Sequence, residues 1–361
     1  MAEPFAAKLL GVIEGCTNPE SAELLPDGET FVFGNCAMTM GIESFRGGMA
    51  LVYLEGEAFI SRARIRPDKT VELDERSIID GETATLGCDV LTVATGRFPA
   101  GSVFMETGGR PITRDRASIV ESSHSKVLVF DPIAGTVLGA IPLHAGSPFA
   151  ERFNEVDQPN GLAIDSQGNL YVGDIPNSNP DPDPQAPPPV PPAVYRIPHD
   201  VIDSLADGSS DGLDRVQRVM MPNYVNGLTV SPVDDVCHAV SCNLASDPVG
   251  GGVYRLTQDD FDRGEQPDPI QRDLGVLDGI GVTRRGTLIT SNPMTGELAA
   301  FRSDGTRLEI QVEGSPVRMP ADFNVCYPSA LDGEPALLIP DISVGQPPGG
   351  GVVAVADISG L

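Results

Sequence analysis

Residues 158–174 read QPNGLAIDSQGNLYVGD. The stretch opens on an Asn-Gly step, alternates apolar residues for a short strand, turns at Ser166-Gln167-Gly168 and runs into a second alternating strand. The phrase returns twice, as VNGLTVSPVDDVCHAVSCN at 225–243 and as LDGIGVTRRGTLITSN at 277–292. A strand–turn–strand unit recurring at intervals of about 50–65 residues marks a radial or stacked array. Strand repeats of this length predict a β-propeller, in which each blade is a small antiparallel sheet.

Working outward from these phrases, six strand-rich units can be laid along the chain. The first begins at Glu20 and holds ETFVFGN and the alternating ALVYLEGEAFISRARI. The second holds LGCDVLTVATG, SVFMETGG and KVLVFDPIAGTVLGAIPL. AVYRIPHDVI and VQRVMM complete the third, GGVYRLT the fourth, and ELAAFRSDGTRLEIQV the fifth. The sixth runs from NVCYPSA through PALLIPDIS to GGVVAVADI and lacks an outer strand. AAKLLGVIEG, near the N-terminus, is a strand without a unit. Pairing the strand near Ala7–Ile13 with the last unit hides an edge that would otherwise invite aggregation. The expectation is an all-β chain: one six-bladed propeller domain over 1–361, closed by its N-terminal strand. The Pro-rich stretch 176–192, PNSNPDPDPQAPPPVPP, interrupts the third unit and reads as a surface loop, either a cover for a ligand or a passive insertion.

Composition bounds the function. The 361 residues carry 51 acids against 24 Lys and Arg, for a formal charge of −27. That balance excludes a phosphate-binding surface and hence nucleic acid as a partner, and it disfavours anionic membranes. It fits a solvated surface, and part of the field can also gather a divalent cation in a central cavity. No apolar run approaches the roughly 20 residues of a membrane span. MAEPFAAKLL, with its early acid and no long apolar core, does not read as a signal peptide. The six cysteines (Cys16, Cys36, Cys88, Cys237, Cys242, Cys326) include no CxxC pair. They read as reduced, buried residues of a cytoplasmic protein, with a Cys237–Cys242 disulfide as an open alternative.

In a propeller the innermost strands converge on one axis. Asn160, Asn226 and Asp278 hold the equivalent opening position of three consecutive units, and Glu20 opens the first. A single Asn-Gly is ordinarily a turn; its return at equivalent positions points instead to a set of hard oxygen donors. Such donors suit Ca²⁺, Mg²⁺ or Mn²⁺ better than a thiolate-seeking metal. Of the four histidines (His124, His144, His199, His238), none begins an inner strand or has the spacing of a helical zinc site. Ser147 and Ser241 lack a nucleophile elbow. Phosphate-loop and dinucleotide fingerprints are absent.

On these residues the chain resembles the senescence marker protein, gluconolactonase and luciferin-regenerating-enzyme family, with diisopropyl fluorophosphatase and the paraoxonases as more distant relatives. Glu20 in PES matches that family's first-blade Glu, and Asn160 in PNGLAIDSQGNLYVGD its third-blade Asn. Asn226 in VNGLTVSPVDD and Asp278 in LDGIGVTRRGTL match the two following steps. The resemblance runs from about Glu20 to the C-terminus. It implies a six-bladed propeller with one divalent cation, Ca²⁺ foremost and Mg²⁺, Mn²⁺ or Zn²⁺ as alternatives, held by Glu20, Asn160, Asn226 and Asp278. It also implies hydrolysis of a small-molecule lactone or related ester. The chain departs from the pattern in three ways. It has no Trp, Thr283 and Arg284 follow Asp278 where a second Asp is usual, and Asp157, Gln158 and Pro159 stand where sugar lactonases place an Arg.

A cation at this place can polarise a carbonyl, and Asp278, combining an acid with proximity to the cation, is the expected general base. Three rivals remain: an isomerase or lyase on the same centre, a phosphotriesterase, and a non-enzymatic propeller that binds a ligand or protein. The last would need no inward set of acids and amides.

Overall fold

The computed structural model describes residues 3–45, 48–54, 56–108, 111–112, 124–156, 158–175, 191–242, 250–344 and 347–361. The hairpin at 158–174 forms as its alternation predicts. Gln158–Ile164 and Leu170–Ile175 pair antiparallel, from Gln158 opposite Ile175 to Ile164 opposite Leu170. Asp165 makes the turn. Its Oδ1 accepts from the backbone N–H groups of Gln167 and Asn169, at 3.0 and 2.8 Å, and its Oδ2 accepts from the Asn169 amide and the Tyr171 hydroxyl. Ser231 and Thr283 open the corresponding turns of the other two phrases, donating backbone N–H to Val236 O and Thr287 O. A short polar residue that bonds its own turn is what each polar step supplies.

Strands added outward from such hairpins build the molecule. Pro19–Leu24, Thr30–Asn35, Ala58–Ile65 and Val71–Glu82 form one four-stranded sheet. Cys88–Val90, Val103–Thr107, Lys126–Asp131 and Thr136–Pro142 form a second. Gln158–Ile164, Leu170–Ile175, Ala193–Ile197 and Gln217–Met220 form a third. Tyr224–Val230, Cys237–Cys242 and Gly252–Leu256 make a three-stranded sheet, extended by a single bridge from Val253 to Gln271.

The remaining radial strands run as one eight-stranded sheet. Its order is Ile280–Val282, Leu288–Asn292, Glu297–Phe301, Arg307–Glu313, Phe5–Cys16, Gly351–Asp357, Ala336–Pro340 and Asn324–Cys326. The protein is all-β and propeller-like, with a few short helices. The expected count of six separate blades is corrected here, because hydrogen bonding joins the last eight strands. The cause is the N-terminal strand. Phe5–Cys16 pairs antiparallel with Gly351–Asp357, from Lys8 opposite Asp357 to Cys16 opposite Gly351. Its first residues, Phe5–Lys8, also pair parallel with Ile310–Glu313. The expected contact with the last strand is present, and a second one fuses two sheets.

Other expectations are also revised. ALVYLEGEAFISRARI is not one strand. Gly48–Leu54 leaves the first sheet to pair with Met38–Phe45 and Pro111–Ile112, and Ala58–Ile65 returns to it. In AVYRIPHDVI the strand stops at Ile197, and His199–Ala206 is a helix that buries Val201, Ile202 and Leu205. Cys237 and Cys242 stand at the two ends of one strand, farther apart than the roughly 7 Å limit on Cα separation in a disulfide. Cys237 is a free buried thiol. The Pro-rich stretch lies outside the described residues except for Pro191 and Pro192.

Apolar packing repeats around the molecule instead of filling one centre. Phe104, Val127 and Val129 of the second sheet meet Leu170, Val172 and Tyr195 of the third. Tyr171 and Val194 of the third meet Ala239 and Tyr254 of the next. Ile289, Ala300 and Leu308 face Leu337, Ile339 and Ala354, so the eight-stranded sheet packs its two halves face to face. No helix among the described residues is long and apolar enough to cross a membrane.

Candidate functional site

Glu20, Asn160 and Asn226 sit where the pairing of their own hairpins slips. Register shifts fall between Pro19 and Ala22, between Pro159 and Gly161, and between Val225 and Leu228. A bulge turns its side chain out of the regular alternation. Asp278 stands just ahead of Ile280–Val282, and its N–H bonds to Ser291 O at 3.1 Å.

The glycine that follows each of the three repeated positions is explained by approach, not by a turn. A Cβ at Gly161 would fall 1.9 Å from Asn226 O, one at Gly227 2.6 Å from Asp278 O, and one at Gly279 2.7 Å from Ala321 O. Gly227 N–H donates to Asp278 O at 2.7 Å, and Asp322 N–H to Glu20 O at 3.0 Å. Each inner strand therefore lies against the backbone of the next, and the last returns to the first.

All four residues singled out by the sequence are buried at this ring, with Glu20 at 1% exposure and Asn160 and Asn226 at 7%. Asn160 Nδ2 donates to Asn226 Oδ1 at 2.6 Å, and Asn226 Nδ2 donates to Leu277 O at 3.2 Å. This chain of amides orients Asn160 so that its own Oδ1 has no hydrogen-bond partner. Both carboxylate oxygens of Glu20 and Oδ1 of Asp278 are likewise buried without one among the described residues. Buried acceptors are nearly always satisfied, and leaving several of them unpaired is costly unless protons or a cation supply what the chain does not.

The electrostatics reflect this. Burial pushes the Glu20 carboxyl well above the usual range, and Asp278, Asp322 and Glu106 push it further by repulsion. Burial holds Asp278 up to about 7. The unsatisfied set is all oxygen and partly anionic, which suits a hard cation. Among the described residues no group of three or more His, Cys, Asp and Glu side chains could hold a metal ion. The fit therefore requires the Asn160 amide oxygen to join the two carboxylates.

Several neighbours of the ring were not singled out by the sequence. Glu106, on Val103–Thr107, is fully buried with neither carboxylate oxygen bonded among the described residues, and its carboxyl is raised by burial and then by Asp322 and Asp174. An acid closing the apolar run Val103-Phe104-Met105 was the available signal. Asp322 opens the Asn324–Cys326 unit as Asp278 opens its own, but without the Asn-Gly or Asp-Gly step that made the others visible. Tyr53 and Cys36 are fully buried and electrostatically coupled to Glu20 and Asp278. The Tyr53 hydroxyl accepts from Gln158 Nε2 at 2.7 Å. None of the four histidines hydrogen-bonds to the ring among the described residues; His238, for instance, is tied to Val236 O.

No protein-family model matches the chain, and no curated protein matches it in sequence. Solved structures are similar in fold. A gluconolactonase from Xanthomonas campestris is 17% identical, the match covering 96% of this chain and 87% of that one, with a TM-score of 0.50. A putative gluconolactonase is 13% identical over 98% of this chain and 92% of its own, at a TM-score of 0.53. A glucose dehydrogenase is 11% identical over 97% and 99%, at 0.56. At these identities the likeness is one of fold, and the resemblance read from the sequence holds at that level.

Proposed function

We propose that the protein is a divalent-cation-dependent hydrolase that opens a lactone or related ester at the inner-strand ring. In this reading the eight-stranded sheet is two blades joined by Phe5–Cys16, which makes six blades in one domain. The observation that carries the functional reading is the group of buried oxygens on Glu20, Asn160 and Asp278 that no donor among the described residues meets. Glu20, Asn160 and Asp278 would hold the cation, Ca²⁺ foremost, with the remaining lone pair of Asn226 Oδ1 completing the set. When bound, the cation would polarise the substrate carbonyl and stabilise the charge that develops on its oxygen.

Asp278 takes a proton from the attacking water as the water oxygen bonds to the carbonyl carbon. The ester C–O bond then breaks, and the proton passes from Asp278 to the departing oxygen, leaving a hydroxy acid. Buried at the ring beside the proposed cation, Asp278 is the acid assigned to this proton transfer. Gln158 stands two residues before Asn160, near where sugar lactonases carry an Arg, and is committed to Tyr53. This favours a less polar substrate than a sugar-acid lactone.

The test is elemental analysis of the purified protein together with acid release from a lactone panel. The expected result is about one cation per chain, with activity lost on chelation and restored by Ca²⁺. Undiminished hydrolysis by cation-free protein would contradict the reading.

A further inference from the structure

A second group of acids extends along the inner strands from the ring, with Asp322 at the join. Glu23 follows Glu20 by three residues in the same strand, which at a rise of about 3.3 Å per residue sets it roughly 10 Å along the axis. There a cavity of about 400 Å³ opens, with Glu23, Asp89 and Asp322 among its walls. We infer that this cavity is a second ligand site, which takes a small organic ammonium with a short apolar tail.

Three observations support it. Asp322 is only 7% exposed and lines the cavity, yet its carboxylate has no hydrogen-bond or ion-pair partner among the described residues. Its two companions have only neutral partners. Glu23 Oε2 accepts from Asn324 Nδ2 at 2.7 Å, and Asp89 accepts from the backbone of Val90 and Ile164 at 2.6 and 2.7 Å. The three are close enough that, after burial, Asp89 and Asp322 raise the Glu23 carboxyl further. One cation, Arg284, lines the same cavity, its guanidinium stacked 3.8 Å from the centre of the ring of Tyr327, another wall residue.

Together these set three acids against one cation in the cavity wall, and none of the three is ion-paired among the described residues. A bare metal ion fits it poorly, because no three acids among the described residues could hold one. Part of the remaining wall is apolar, including Leu162, Leu228 and Val282, beside the polar Thr92, Thr229 and Asn324. An ammonium group offers several N–H donors to spaced carboxylates, and an alkyl tail covers the apolar wall.

The test is calorimetric titration of the full chain with n-butylammonium chloride, and with 1-butanol and CaCl₂ as comparators. Butylammonium is expected to bind and 1-butanol not to. Glu23→Gln, which keeps an acceptor for Asn324, and Asp322→Asn should each weaken binding about tenfold or more, the scale of a charge-assisted hydrogen bond. Glu20→Gln, at the ring, should change it by no more than about threefold, which separates this site from the proposed cation centre. The inference is overturned if butylammonium does not bind, if 1-butanol binds as tightly, or if Glu23→Gln leaves the affinity unchanged. It is also overturned if Ca²⁺ binds in the wild type and Glu20→Gln but not in Glu23→Gln, since the acids would then hold a metal.

Discussion

The methyl group that alanine adds at Gly161 lands 1.9 Å from the carbonyl oxygen of Asn226 and 3.0 Å from Leu228 Cγ. Neither partner is a free side-chain end, so the neighbouring inner strand must move. Gly161→Ala is expected to cost about 1–3 kcal/mol, as other overpacking substitutions do, and to loosen the Asn160–Asn226 hydrogen bond. A denaturant midpoint within error of wild type would contradict the close approach. The same contact explains what the sequence made legible at this scale. Asn160, Asn226 and Asp278 were visible because each is followed by a glycine that the adjacent backbone demands. Glu106 and Asp322 have no such companion and stayed hidden. Asp89 gives a test in pH. Burial lifts its carboxyl from 3.8 to about 7, against the pull of two backbone N–H bonds. The folded value is the higher one, so the protonated acid stabilises the fold. That contribution is complete below the unfolded value and is lost as pH rises through about 7. Asp89→Asn should therefore flatten the fall of melting temperature between about pH 4 and 7; an unchanged slope would contradict the shift.

Phe5–Cys16 does the most of any single element. Its pairings cover both the Gly351–Asp357 edge and the Ile310–Glu313 edge, and it buries Ala7, Ile13 and Cys16. Deleting residues 1–14 exposes both edges at once, and the truncated chain is expected to aggregate. A soluble truncation with unchanged melting would show that the strand does not close the molecule. The antiparallel half of this role was readable, because a strand without a unit and a unit without an outer strand imply each other. The parallel half was not, since nothing in a four-residue overlap distinguishes Phe5–Lys8 from any other strand end. Two further elements misled for physical reasons. ALVYLEGEAFISRARI keeps the alternation of a single strand across its break, and only Gly56, at φ +68°, marks the turn. In HDVIDSLA the buried residues fall at 201, 202 and 205, a helical spacing that the strands on either side concealed.

At the scale of the whole molecule, the formal charge of −27 counts every acid as ionised. Glu20, Glu23, Asp89, Glu106, Asp278 and Asp322 all have carboxyls raised by burial. The acidity is therefore shared between surface acids and a buried set along the axis whose neutral form burial favours until a cation meets them, which composition alone could not divide. The division matters because axial acids call for a cation, whereas surface acids only repel. The account assigns two kinds of work to the ring, holding the cation (Glu20) and taking the proton (Asp278), and kinetics can separate them. The deciding measurement is the rate of lactone hydrolysis by Glu20→Gln and Asp278→Asn as Ca²⁺ is raised to saturation. Glu20→Gln should recover a large part of wild-type turnover, since only cation affinity was lost. Asp278→Asn should stay about 10²–10⁴-fold slow, the size of a general-base contribution. Equal recovery of both variants would leave Asp278 no role as base, and activity in either variant that ignores Ca²⁺ would contradict a cation-dependent reaction at this ring.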